Sequence, residues 1–184
     1  MNAEWLVAGS GPSFRHVTGY LNVVCLNRSA ALWPEPCFVA TRHPEIVLPL
    51  LDPGKVRGII LGREVARAYR GGISGILEDW PGVPLIALPE FILDRDWSVQ
   101  DGLPRDAWVW EGRLVSRGFC ADVAAHYLGM MGVGAFDSVG IDGGIGMHEE
   151  FHARYRAWMG GDYDYGIRAL QELCAYYGIE WRRI

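Results

Sequence analysis

Four stretches of this chain combine residue types and spacings that could do chemistry. Gly9-Ser10-Gly11-Pro12-Ser13 follows a short apolar run. Its two glycines let the backbone approach a ligand closely, and N–H groups at a helix start can hold a phosphate or carboxylate. It is neither a Walker loop, since no Gly-Lys-Ser/Thr follows, nor a GxGxxG turn, since Phe14 takes the place of the last glycine. A tight turn capped by Ser13 is the plainer reading. Ser116-Arg117-Gly118 stands before the strongest helical pattern. A helix N-terminus with a hydroxyl and an arginine suits an anion, or is simply a cap beside a solvated arginine. Asp142 precedes two glycines and could bind a ribose hydroxyl, hold Mg²⁺, act as a base, or satisfy turn backbone. His148 and His152 lie four apart, with Glu149 and Glu150 between them. The HExxH spacing is met, but zinc needs a regular helix and a third ligand, and this stretch follows a glycine-rich loop. One of the two histidines as general base is the stronger chemical reading, with a solvated polar helix as the alternative.

The elements that must position these residues alternate between short apolar strands and helical patterns. That alternation predicts one α/β, Rossmann-like domain over residues 1–184, mostly parallel in its sheet, with helices on both faces. Strands are expected at Trp5–Ala8, Leu21–Leu26, Cys37–Thr41, Arg57–Leu61, Pro84–Leu88, Phe136–Ile141 and Ile179–Ile184. A helix opens at His43-Pro44 and runs through Leu51, and a second is expected over Glu64–Tyr69. Phe119, Cys120, Val123, Ala124, Tyr127, Leu128 and Met131 follow helical spacing, with Ser116 as N-cap and Gly132 and Gly134 ending the helix. A last helix covers Tyr165–Tyr177 and stops at Gly178. Residues 90–115, with Trp97, Trp108 and Trp110, read as a rim excursion: a lid, a subunit contact of a homo-oligomer, or a loop stapled by tryptophans. Residues 143–164 read as a polar linker. In open parallel sheets ligands bind beyond the carboxyl ends of strands. Gly9–Ser13, Asn27, Thr41 with His43, and Asp142 all fall at such ends.

Composition narrows the classes. The chain has 184 residues, 50% of them hydrophobic, and a formal net charge of −5. One well-filled domain is expected, without the broad basic field that attracts nucleic acid. Lys55 is the sole lysine and lies in a turn-like Asp-Pro-Gly-Lys stretch, a poor setting for lysine catalysis. Cys25, Cys37, Cys120 and Cys174 form no CxxC pair and read as buried thiols of a reducing compartment. No signal peptide and no run long enough to span a membrane is legible, so a cytoplasmic location is expected.

In series, these motifs resemble a known superfamily. The carriers are Gly-Ser-Gly-Pro-Ser after the first strand, Asn27-Arg28-Ser29 after the second, and Thr41-Arg42-His43-Pro44 after the third. Ser116-Arg117-Gly118 before a helix ending Tyr127-Leu128-Gly129, the run Val139-Gly140-Ile141-Asp142, and Ala169-Leu170 in the last helix complete the set. Together they are similar to the superfamily joining bacterial lipooligosaccharide sialyltransferases with the MptE-like (DUF115) proteins, which include archaeal 6-hydroxymethylpterin diphosphokinases. The resemblance implies a transferase that binds a CMP-type or other nucleotide-sugar and passes the sugar to a small-molecule or glycan acceptor, needing no further cofactor. It implies a nucleotide site lined by Gly9, Ser10, Gly11, Ser13, Asn27, Ser116, Arg117 and Gly118, with Asp142, His148 and His152 as catalytic candidates. The other branch implies an Mg²⁺-dependent diphosphokinase. A non-catalytic nucleotide-binding protein is the third reading.

Overall fold

The computed structural model describes residues 4–62, 69–88, 91–93, 109–110, 113–116, 120–142 and 164–184. Seven strands form one parallel sheet: β1 (Trp5–Ala8), β2 (Asn22–Leu26), β3 (Cys37–Ala40), β4 (Val56–Gly62), β5 (Leu85–Leu88), β9 (Ala135–Val139) and β10 (Glu180–Arg183). Their order is β10-β9-β1-β2-β3-β4-β5, every neighbouring pair parallel. All seven expected strands are present, with ends within two residues of the sequence reading. Three short strands, β6 (Phe91–Leu93), β7 (Val109–Trp110) and β8 (Arg113–Ser116), make a second sheet in the order β6-β8-β7.

The inner strands β1 to β4 and β9 are buried on both faces because their side chains alternate between two cores, while the edge strands β5 and β10 are largely half-buried or exposed. Val7, Val24, Leu26, Ala40, Ile60 and Phe136 pack beneath α4 (Cys120–Met130) and α5 (Asp164–Tyr177). Leu6, Ala8, Val23, Cys25, Val39, Ile59, Leu61 and Val139 point the other way. There they meet Trp33, Val47, Leu48, Ile76 and Trp80. These come from the segments around α1 (Ser29–Leu32), α2 (Pro44–Val47) and α3 (Gly72–Asp79). α4 is buried from Ala121 through Leu128, as a helix apolar on nearly all sides must be. Gly129 lets α5 come close, since a Cβ there would collide with the Tyr177 ring.

Several boundaries differ from the sequence reading. Ser116 is not the N-cap of α4. It is the last residue of β8, opposite Leu93, and the helix begins four residues later. The helix expected from His43 through Leu51 is one α-turn at Pro44–Val47 followed by a 3-10 turn at Leu48–Leu50. No helix follows Ser13: residues 14–20 have no regular structure. α3 was not legible, because Gly71, Gly72 and Gly75 weaken its pattern. It forms because Ile76 is fully buried against the sheet. The helix expected over Glu64–Tyr69 lies outside the described residues apart from Tyr69. So do most of the rim excursion, and the polar linker up to residue 163.

Candidate functional site

The strand order reverses at β1. From there the chain adds β2, β3, β4 and β5 in one direction and later returns to place β9 on the other side. Such a switch point leaves the carboxyl ends of two strands with loops departing to opposite sides, the usual ligand crevice of this architecture. The loops that meet there are Gly9–Ser13, after β1, and Gly140–Asp142, after β9. No match to a family model, a curated protein or a solved structure accompanies this doubly wound fold.

The two loops are locked to each other. Gly9 N donates to Val139 O at 2.8 Å and Gly11 N to Gly140 O at 2.8 Å. Ser13 N donates to Asp142 Oδ2 at 2.8 Å, and Gly140 N donates back to Ser13 Oγ at 2.9 Å. Phe14 N closes the turn on Gly11 O at 3.0 Å. The glycines are required by this approach. A Cβ on Gly9 would overlap the carbonyl of Gly140, and Gly140 itself has a φ of 66°, which favours glycine. The sequence offered these glycines for access to a ligand. The structure spends them on access to another loop, and the N–H groups of Gly9, Gly11, Ser13 and Phe14 are already committed. Pro12 has no N–H, which leaves Ser10 as the remaining donor of the turn. The free-donor cradle expected from the sequence is therefore not what the loop forms. Asp142 satisfies backbone, but across loops rather than within its own turn.

Asn27 follows β2 with a φ of 52°, a left-handed position where asparagine is tolerated. Its N–H continues the sheet to Ala40 O at 2.9 Å, and its Oδ1 accepts from Thr41 Oγ1 at 2.9 Å. Thr41 is fully buried and its Oγ1 in turn accepts from His43 N at 3.0 Å. Cys120, the first residue of α4, joins this group. Burial pushes its thiol up to about 11, against the lowering effects of the Arg42 charge, the Arg42 backbone and the Asn27 side chain. A helix start with a cationic neighbour usually favours thiolate; here desolvation outweighs both, and Cys120 is a neutral packing group. Ser29 Oγ lies 2.6 Å from Ala8 O and 2.9 Å from Leu26 O, tying the loop after β2 to the end of β1.

The sheet thus brings Gly9, Ser10, Gly11, Ser13, Asn27 and Asp142 to one edge. Thr41, Arg28, Arg42 and Cys120 come with them. Thr41 was legible as a polar residue at a strand end, and the two arginines only as members of the motif series. The signal that could have raised the arginines is their equivalent placement, each two residues past a strand end. Ser116 ends β8 in the small sheet, paired opposite Leu93. Arg117, Gly118, His148 and His152 lie outside the described residues. Among the described residues no group of three or more His, Cys, Asp or Glu side chains could hold a metal ion. Nor is any described helix long and apolar enough to cross a membrane. A separate hollow of about 130 Å³ opens at the amino-terminal edge, lined by Thr18, Tyr20, Trp33 and Glu35 among others, none of them an expected site residue.

Proposed function

We propose that the protein binds a nucleotide or nucleotide-sugar at the carboxyl edge of its large sheet and acts as a transferase of the nucleotide-sugar type. The observation that carries this reading is the meeting of the Gly9–Ser13 and Gly140–Asp142 loops at the point where strand order reverses, with Asn27 one strand away. Four polar clusters scattered through the sequence, Gly9–Ser13, Asn27, Thr41 with His43, and Asp142, would then serve one mouth, as ligand sites in open parallel sheets do. On this reading Ser10 and the rim of the locked loops face the nucleoside. The base that deprotonates the acceptor comes from the 143–164 segment, with His148 and His152 as its candidates.

A thermal-shift screen tests it, using nucleotides and nucleotide-sugars with and without Mg²⁺. A ligand at a hundredfold over its Kd adds about 2.7 kcal/mol of stability, a rise of roughly 5–10 °C for a chain of this length. Cytidine nucleotides are expected to give the largest rise, and Asp142→Asn, which keeps an oxygen for Ser13 N, is expected to reduce it. A screen in which no nucleotide moves the transition would remove the proposal. Sugar transfer without added metal supports the transferase chemistry, whereas AMP release that stops on chelation would redirect it to diphosphoryl transfer.

A further inference from the structure

Nucleotide ligands carry phosphate, and the turn expected to receive it has almost no donors left to give. We propose that the phosphate groups of the ligand are held by Arg28 and Arg42, over the carboxyl ends of β2 and β3, and not by the glycine-rich loop after β1. The inference rests on the nucleotide-binding reading and specifies where that ligand's charge lies.

Three observations support it. First, Gly9, Gly11, Ser13 and Phe14 all donate their N–H groups within the protein, and Pro12 has none, so the loop cannot cradle an anion in the manner of a phosphate-binding turn. Second, β2 and β3 are in register with Leu26 opposite Ala40. Arg28 and Arg42 each stand two residues beyond that same rung, so two guanidinium-bearing loops leave neighbouring strands side by side, about 5 Å apart at the strand ends. Third, Arg42 approaches the start of α4, where its charge acts on the Cys120 thiol and its Nε is sealed from solvent. The start of an eleven-residue helix is itself a positive pole. The Arg42 charge and the helix pole are offset there by the carboxylate of Asp122 in the first turn, and Arg28 adds the second positive group on the neighbouring strand end. Both arginines also make contacts within the chain. With five N–H donors in a planar fork, a guanidinium can serve those partners and a phosphate oxygen together. Of the nearby acidic groups, Asp142 is bonded to Ser13 N, Glu45 lies 3.6 Å from His43, and Asp122, in the first turn of α4, is fully buried and makes contacts within the chain.

The arrangement predicts that phosphate recognition is separable from recognition of the nucleoside. The probe is inorganic pyrophosphate, titrated calorimetrically at low salt into the full chain. The variants are Arg28→Gln, Arg42→Gln and Arg42→Lys. Arg57→Gln is the control, because Arg57 lies at the amino end of β4, where its Nη1 donates to Leu21 O. Wild type and Arg57→Gln are expected to bind pyrophosphate equally. Each glutamine variant is expected to bind at least tenfold more weakly, the size of a lost charge-assisted hydrogen bond. Arg42→Lys, which keeps charge but not the fork, should fall between. Melting curves identify any variant that has not folded, and the Arg28→Gln and Arg42→Lys comparisons then decide. Absence of pyrophosphate binding to wild type would overturn the inference, as would equal binding by folded glutamine variants. If pyrophosphate binding depends on the arginines while no nucleoside or nucleotide binds, the phosphate site stands and the nucleotide reading fails. Nucleoside binding that survives in Arg42→Gln leaves that reading intact whichever way the pyrophosphate result falls.

Discussion

His126 makes folding stability depend on acid in a way that can be worked through. It is fully buried in α4, with Nδ1 3.1 Å from Tyr177 Oη on α5. Burial pushes its pKa from 6.5 down to about 4, because a charged imidazole there would lose its hydration. Above pH 6.5 neither the folded nor the unfolded chain protonates this ring. As pH falls below 6.5 the unfolded chain binds a proton that the folded chain refuses, so stability declines until about pH 4, where the folded ring also charges. The full difference is roughly 3 kcal/mol, of which about 2 kcal/mol is lost between pH 8 and pH 5. At roughly 2–4 °C per kcal/mol, that is a fall in Tm of about 4–8 °C. The assay is a set of melts from pH 8 to pH 5 for wild type and His126→Gln. The glutamine does not titrate, so its Tm should fall less by that amount, while carboxylate effects are shared by both proteins. Parallel pH dependences in the two would refute the argument, whatever the absolute stability of the variant.

Other outcomes follow from the locked loops and from β9. Gly9→Ala should cost roughly 2–4 kcal/mol, because its Cβ meets the backbone of Gly140, whereas Gly134→Ala, with nothing within 4 Å, should change chemical-denaturation midpoints little. Asp137 is almost fully buried between Tyr20 Oη at 2.6 Å and Arg182 Nε at 2.8 Å, so Asp137→Ala should lower stability by about 2–3 kcal/mol. Arg182→Ala should cost less, since Arg182 is partly exposed and Tyr20 still serves the carboxylate; equal losses would contradict that ordering. Burial, and then its bond to Asp137, raise Tyr20 from 10.0 to about 12. This contribution is fully present below pH 10 and disappears as pH rises through 12. Tyr20→Phe should therefore lose less stability than wild type over that window in alkaline melts.

The seven strands of the large sheet were determined by sequence alone, since each is a short apolar run bounded by turn residues, and that is local information. The alternation of strands with helical patterns likewise fixed their parallel packing between two cores. α3 and the end of β8 were not legible, because glycines hide the first and Ser116 looks as much like a cap as like a strand terminus. Only the tertiary structure decided what the chemical motifs are used for. Gly9–Ser13 and Gly140–Asp142 are about 130 residues apart, and nothing in either stretch tells whether its N–H groups will meet a ligand or each other. That depends on β9 lying beside β1, a choice made by the packing of whole strands. The pairing of β2 with β3 set the loops carrying Arg28 and Arg42 side by side, and the place of β9 between β1 and β10 closed Asp137 between Tyr20 and Arg182. Residue type sets what a group can bond; which partner is within 3 Å is set by the order in which the strands assemble.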